Sequence, residues 1–133
     1  MGLLGLLALF GSKNDSEVKE EKKLPWKALT SMEQLDTIVA DSKTRPVAIF
    51  KHSTRCGISR MVIRQFEGAY DIDPTKMDLY YLDLLAYRSI SDEVGIKFQV
   101  LHQSPQLIVI KNGIAVAHAS HSGIQADELE NFI

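Results

Sequence analysis

Val47-Ala48-Ile49-Phe50-Lys51-His52-Ser53-Thr54-Arg55-Cys56-Gly57-Ile58-Ser59 carries a short apolar run through a polar turn into the start of a helical pattern. Val47 to Phe50 is the kind of continuous apolar segment that forms a buried strand, often in a parallel sheet. From Gly57 to about Ala69, the apolar residues Ile58, Met61, Val62 and Phe66 recur at three- and four-residue spacing. That spacing predicts a helix with Arg60, Arg64 and Glu67 toward water. Cys56, the one cysteine of the chain, falls at the junction. A thiol at a helix start meets unpaired backbone N–H groups and the positive end of the helix dipole, both of which favour an anionic sulfur. Between Lys51 and Arg64 there are four Lys or Arg and no acid, although the chain has a formal net charge of -2. A free cysteine is often only a small buried apolar residue. The polar or small neighbours Thr54, Arg55, Gly57 and Ser59 suit an exposed turn better, so Cys56 is read as a reactive thiol.

Outward from this stretch, Ser31-Met32-Glu33-Gln34 fits a capping box, and Leu35, Ile38 and Val39 follow at helical spacing, predicting a helix to about Ser42. After the Asp73-Pro74 break, Leu79-Tyr80-Tyr81-Leu82 reads as a second buried strand closed by Asp83, its aromatics core rather than ligands. Ser91-Asp92-Glu93-Val94 starts another helix ending near Phe98, weakened by Gly95. Gln106 to Ile110 is a further apolar run, Asn112-Gly113 is a strong hairpin turn signal, and Ile114 to Ala119 supplies the antiparallel partner. Gln125 to Ile133 is expected to be a closing helix. The order of elements predicts an α/β fold, a central mixed β-sheet flanked by α-helices.

With 133 residues, 45% hydrophobic and 24% charged, the chain has room for one domain with a sizeable core. The charge balance offers no basic bias toward nucleic acid. A lone cysteine excludes an internal disulfide, so any disulfide is mixed, and the sequence suits a reducing, cytoplasmic setting. Met1 to Phe10 is uncharged and rich in Leu, Gly and Ala, well short of the roughly 20 residues of a spanning helix and without the cation of a signal peptide. It is read as a tail for weak membrane-surface contact or docking. Ser12 to Lys23 holds eight charged residues, four of each sign, and reads as a solvated linker. The folded domain is expected over residues 24–133, preceded by the tail and linker of residues 1–23. His118 and His121 invite a metal reading, but residues three apart on a strand point to opposite faces, and no metal site is assigned.

Three features coincide in order: Cys56 at a helix start after a core strand, Ser104-Pro105 before a strand, and the Asn112-Gly113 hairpin. Together they resemble the thioredoxin-like fold, in which the resemblance implies a cis peptide at Pro105 and a position for it against the reactive sulfur. Within that superfamily, Lys51 to Ser59, Tyr81-Leu82-Asp83-Leu84 and His102-Gln103-Ser104-Pro105-Gln106 resemble the monothiol bacilliredoxin family, over a stretch from about Leu24 to the C-terminus. Members typically carry Cys-Pro-Ile-Ser, where this chain has Gly57 in place of proline.

The resemblance implies thiol–disulfide exchange with bacillithiol and with proteins that carry it, bacillithiol being a co-substrate with no tightly bound cofactor. Cys56 would be the nucleophile. Ser59 occupies the place of a resolving cysteine and is expected to donate a hydrogen bond to the Cys56 sulfur, with Ser104, Pro105 and His52 in support. His52 either tunes the sulfur or only closes the strand. Lys51 and Arg55, and after them Arg60, are candidates for the carboxylates of the low-molecular-weight thiol, while Arg64 suits a solvated face equally well. Two other functions stay open. Cys56-Gly57-Ile58-Ser59 also resembles the Cys-Gly-Phe-Ser site of monothiol glutaredoxins, which carry an iron-sulfur cluster, although Ser104 replaces their usual Val and their Gly-Gly motif is missing. The third is a non-catalytic thioredoxin-like adaptor.

Overall fold

The computed structural model describes residues 24–133, so the apolar tail and charged linker of residues 1–23 lie outside the described residues. Five strands, β1 (Trp26–Ala28), β2 (Val47–His52), β3 (Asp78–Asp83), β4 (Gln106–Lys111) and β5 (Ile114–Ser120), form one sheet in the order β1-β3-β2-β4-β5. The first three are parallel, and β4 and β5 are antiparallel additions. Helices α1 (Glu33–Asp41), α2 (Gly57–Ala69) and α3 (Arg88–Phe98) cover the faces, so the expected mixed sheet flanked by helices is present.

Strand alternation divides the core in two. Ala48 and Phe50 point to the layer of Val62 and Phe66 on α2, whereas Val47 and Ile49 point to Leu35 and Ile38 on α1 and to Ile90 and Val94 on α3. The hairpin turns as its sequence demands, Asn112 and Gly113 having φ of 52° and 80°. Among the described residues no helix is long and apolar enough to cross a membrane.

Several elements differ from expectation. β1 is only three residues long and its signal was too short to read, yet it pairs with β3 through Trp26–Leu79 to Ala28–Tyr81. β2 does not stop with the apolar run but continues through Lys51 and His52, both buried. On α2, Ile58 and Met61 are exposed, and the buried stripe is Ser59, Val62, Ile63 and Phe66. The helix is rotated because Ser59 turns inward to a polar partner described below. Only half of the α1 box forms: Thr30 and Ser31 N–H donate to Gln34 Oε1 at 2.7 and 3.0 Å, while no side chain caps the helix. α3 begins one turn early, at Arg88, because Asp83 Oδ1 accepts from Leu85 N–H and turns the chain directly into it. Gly95 leaves room for a close approach, since a Cβ there would lie 3.0 Å from the Val100 carbonyl oxygen and press on it. The expected closing helix is a 3-10 helix over Ala126–Phe132. Its apolar residues Ala126, Leu129 and Phe132 recur every three positions, matching three residues per turn, and pack on the α2 layer.

Candidate active site

Cys56 is the N-cap of α2, with extended backbone at φ -100° and ψ 123°, and is half-buried. Its N–H donates to Ser53 O at 3.2 Å and its carbonyl accepts from Arg60 N–H at 3.0 Å, so the sulfur hangs from a backbone anchored on both sides. The leading N–H groups of α2 are unpaired within the helix, and the Cys56 side chain makes no capping hydrogen bond to them. The helix start is the position expected from the sequence.

Ser59 is fully buried, and its Oγ lies 2.9 Å from His52 Nδ1 and accepts from Ser53 N–H at 3.1 Å. His52 is 4% exposed, and burial pushes its ring below the ordinary 6.5 against the opposing pull of Asp83 and Glu67, so the ring is neutral at neutral pH. The Ser59 hydroxyl and His52 Nδ1 share this hydrogen bond, its proton lying on one or the other according to the tautomer of the ring. The expected bond from Ser59 to the Cys56 sulfur is not among the hydrogen bonds of the described residues, where Ser59 Oγ is taken up by His52 and Ser53. Ser59 and His52 instead tie the end of β2 to the first turn of α2 and pin the intervening loop.

Lys51 is one residue from His52 and so points to the other face of the sheet. It is fully buried, with Nζ 3.2 Å from Ser91 O and 3.3 Å from His102 Nδ1. Burial lowers its tendency to hold a proton, with Asp92 opposing. It is therefore withdrawn from the role of thiol contact. Arg55 is exposed beside Cys56, and Arg60 donates to Thr54 O at 3.1 Å, which leaves Arg55 the freer of the two cations.

The Ser104–Pro105 peptide is cis. The β2–β4 register pairs Lys51 with Gln106, and Pro105 therefore stands beside His52, at the end of the sheet from which the Cys56 loop departs. Pro105 O accepts from His121 N–H at 3.1 Å, which brings the backbone of His121 to this end as well. Gln106, fully buried, donates to Leu101 O at 3.0 Å and accepts from Gln103 N–H at 3.3 Å. Sequence reasoning missed Gln106, His102 and Ser53. The available signal was the polar pair Lys51-His52 at the end of a buried strand, because two polar residues in succession on a strand need partners on both faces.

The sequence pattern of the family described as monothiol bacilliredoxin BrxC matches residues 27–129. Among solved structures, a protein assigned provisionally as an oxidoreductase with a thioredoxin fold is 31% identical, with a TM-score of 0.68 over 80% of this chain and 92% of that one. Thioredoxin of Malassezia sympodialis is 21% identical, with a TM-score of 0.63 over 84% of this chain and 89% of that one. Thioredoxin of Nicotiana alata is 22% identical, with a TM-score of 0.57 over 83% of this chain and 90% of that one. The last two share the fold alone.

Proposed function

The chain belongs to the monothiol bacilliredoxin family, and on that premise we propose that it removes bacillithiol from protein mixed disulfides through Cys56. The observation that carries the reading is a single, half-buried thiol at the N-cap of α2, without a second cysteine in the chain. The Cys56 thiolate attacks the bacillithiol sulfur, a Cys56–bacillithiol bond forms, and the client sulfur leaves as a thiolate that takes up a proton from water. No net oxidation occurs. A second low-molecular-weight thiol then attacks the Cys56-linked disulfide and restores the free thiol, since Ser59 offers no sulfur for an internal resolution.

Support for this reading comes from the loop between His52 and Cys56, which the Ser59–His52 and Ser53–Ser59 hydrogen bonds hold in one arrangement. Exposed Arg55 is the cation assigned to the bacillithiol carboxylates, and the buried Lys51 is not. Ser104 and Pro105 are assigned to the side of the incoming disulfide. The proposed setting is the cytoplasm, with the apolar tail as a weak surface contact.

The test is intact-mass measurement after incubation with a bacillithiol-modified protein. Wild type should gain the mass of one bacillithiol and Cys56→Ser none. An iron-loaded, coloured dimer with no such adduct would replace the proposal with cluster carriage, and neither product would make the domain an adaptor.

A further inference from the structure

The loop of residues 101–104, which delivers Ser104 and Pro105 to the Cys56 end of the sheet, has little apolar anchorage. Leu101 is 82% exposed, and His102 and Gln103 are exposed as well. Polar contacts from below hold it instead. Gln106 binds Leu101 O and Gln103 N–H, and the buried Lys51 ammonium reaches His102 Nδ1 at 3.3 Å while another of its three donors binds Ser91 O of α3.

We propose that Lys51 is a positioning residue that holds this loop through His102, and that protonation of His102 releases it. The contact needs a lone pair on Nδ1. A protonated ring has N–H at both nitrogens and would present a donor and a positive charge to a buried cation. The groups facing His102 are Lys51 from β2 and Arg88 and Asp92 from α3. Although the residue as a whole is exposed, desolvation of the ring on its Lys51 side, then Lys51, then Arg88 hold it below the ordinary 6.5, with Asp92 opposing, so the loop is held at neutral pH and released on acidification. Water reaches the ring through a cleft of about 430 Å3 lined by Ser91, Asp92, Gln99 and His102.

The consequence for catalysis rests on the exchange reading of Cys56, and the test separates the two. NMR titration of the free protein follows the His102 ring and the Gln103 and Ser104 amides. The amides should move together with the ring, at a midpoint below 6.5. Lys51→Met should raise that midpoint and uncouple the amides. In bacillithiol removal, His102→Ala should raise KM several-fold at neutral pH with little change in kcat. His102→Asn, whose Oδ1 accepts from Lys51 without titrating, should rescue KM and erase its rise in acid. Loop amides indifferent to the His102 ring, or an acid rise in KM that survives in His102→Asn, would overturn the proposal. If no bacillithiol is removed by any form, the exchange reading fails while the titration still decides the loop.

Discussion

Gly57 occupies the first position of α2, directly after a cysteine whose φ of -100° and ψ of 123° are the extended values that a following proline tolerates. A Cβ on Gly57 would meet nothing within 4 Å. The N–H of a first helical residue is unpaired within the helix, so proline loses no helical hydrogen bond there and restricts the unfolded chain. Gly57→Pro, which restores the Cys-Pro-Ile-Ser of similar proteins, should stabilise the domain by about 0.4–1 kcal/mol. A raised urea midpoint with unchanged slope is the expected result, and a lowered midpoint would show that the Gly57 N–H was engaged. Cys56 itself was legible because turn chemistry and helix periodicity meet at one residue. The directions of Lys51 and His52 were not legible, since the apolar run that marks β2 ends at Phe50 and a one-residue slip on a strand exchanges its faces.

Among the elements, β1 shows how a three-residue strand is kept. Trp26 contacts the rings of Phe50, Phe66 and Tyr81, its Nε1–H donates to Glu67 at 2.9 Å, and Lys27 reaches Asp78 at 3.1 Å. Asp78 also accepts two bonds from Arg45, at 3.1 and 3.2 Å, so one carboxylate at the start of β3 joins β1 to the turn before β2. Lys27 and Arg45 are 48% and 38% exposed, and water screens both pairs. With that discount, Asp78→Ala should cost about 1–3 kcal/mol in a denaturant melt. A cost near zero would mean that water replaces both cations without loss. Long periodic segments such as α2 and β4 could be read from sequence. β1 could not, because its stability comes from tertiary partners rather than local pattern, and the closing segment is a helix as expected but wound at three residues per turn, which its short apolar repeat of Ala126, Leu129 and Phe132 fits.

For the whole molecule, two histidines set the response to mild acid. Burial holds His52 below 6.5 in the folded chain, and partial desolvation with the nearby Lys51 and Arg88 holds the more exposed His102 below it, so that solvent screening leaves His52 the larger share. The unfolded chain therefore binds protons more readily, and the stability these rings confer is complete above about 6.5 and lost as pH falls through their folded values. Urea midpoints should decline from pH 7 to pH 5, before the ordinary carboxylates titrate. His52→Gln should flatten part of that slope, and a wild-type midpoint constant across the range would contradict the neutral buried ring. At this scale the sheet and its covering helices were legible from element order, whereas the polar wiring between the layers depends on which face each residue takes.

The parallel run of β1, β2 and β3 also fixes an orientation. Trp26 lies beside Leu79 near the start of β3, and Val47 beside Asp78, whereas Cys56 follows the far end of β2, six residues or roughly 20 Å away along the strand. The polypeptide thus enters the domain at one pole and carries its sulfur at the other. A molecule seated among Lys27, Arg45 and Asp78 would therefore lie a full strand's length from the sulfur and leave the thiol uncovered.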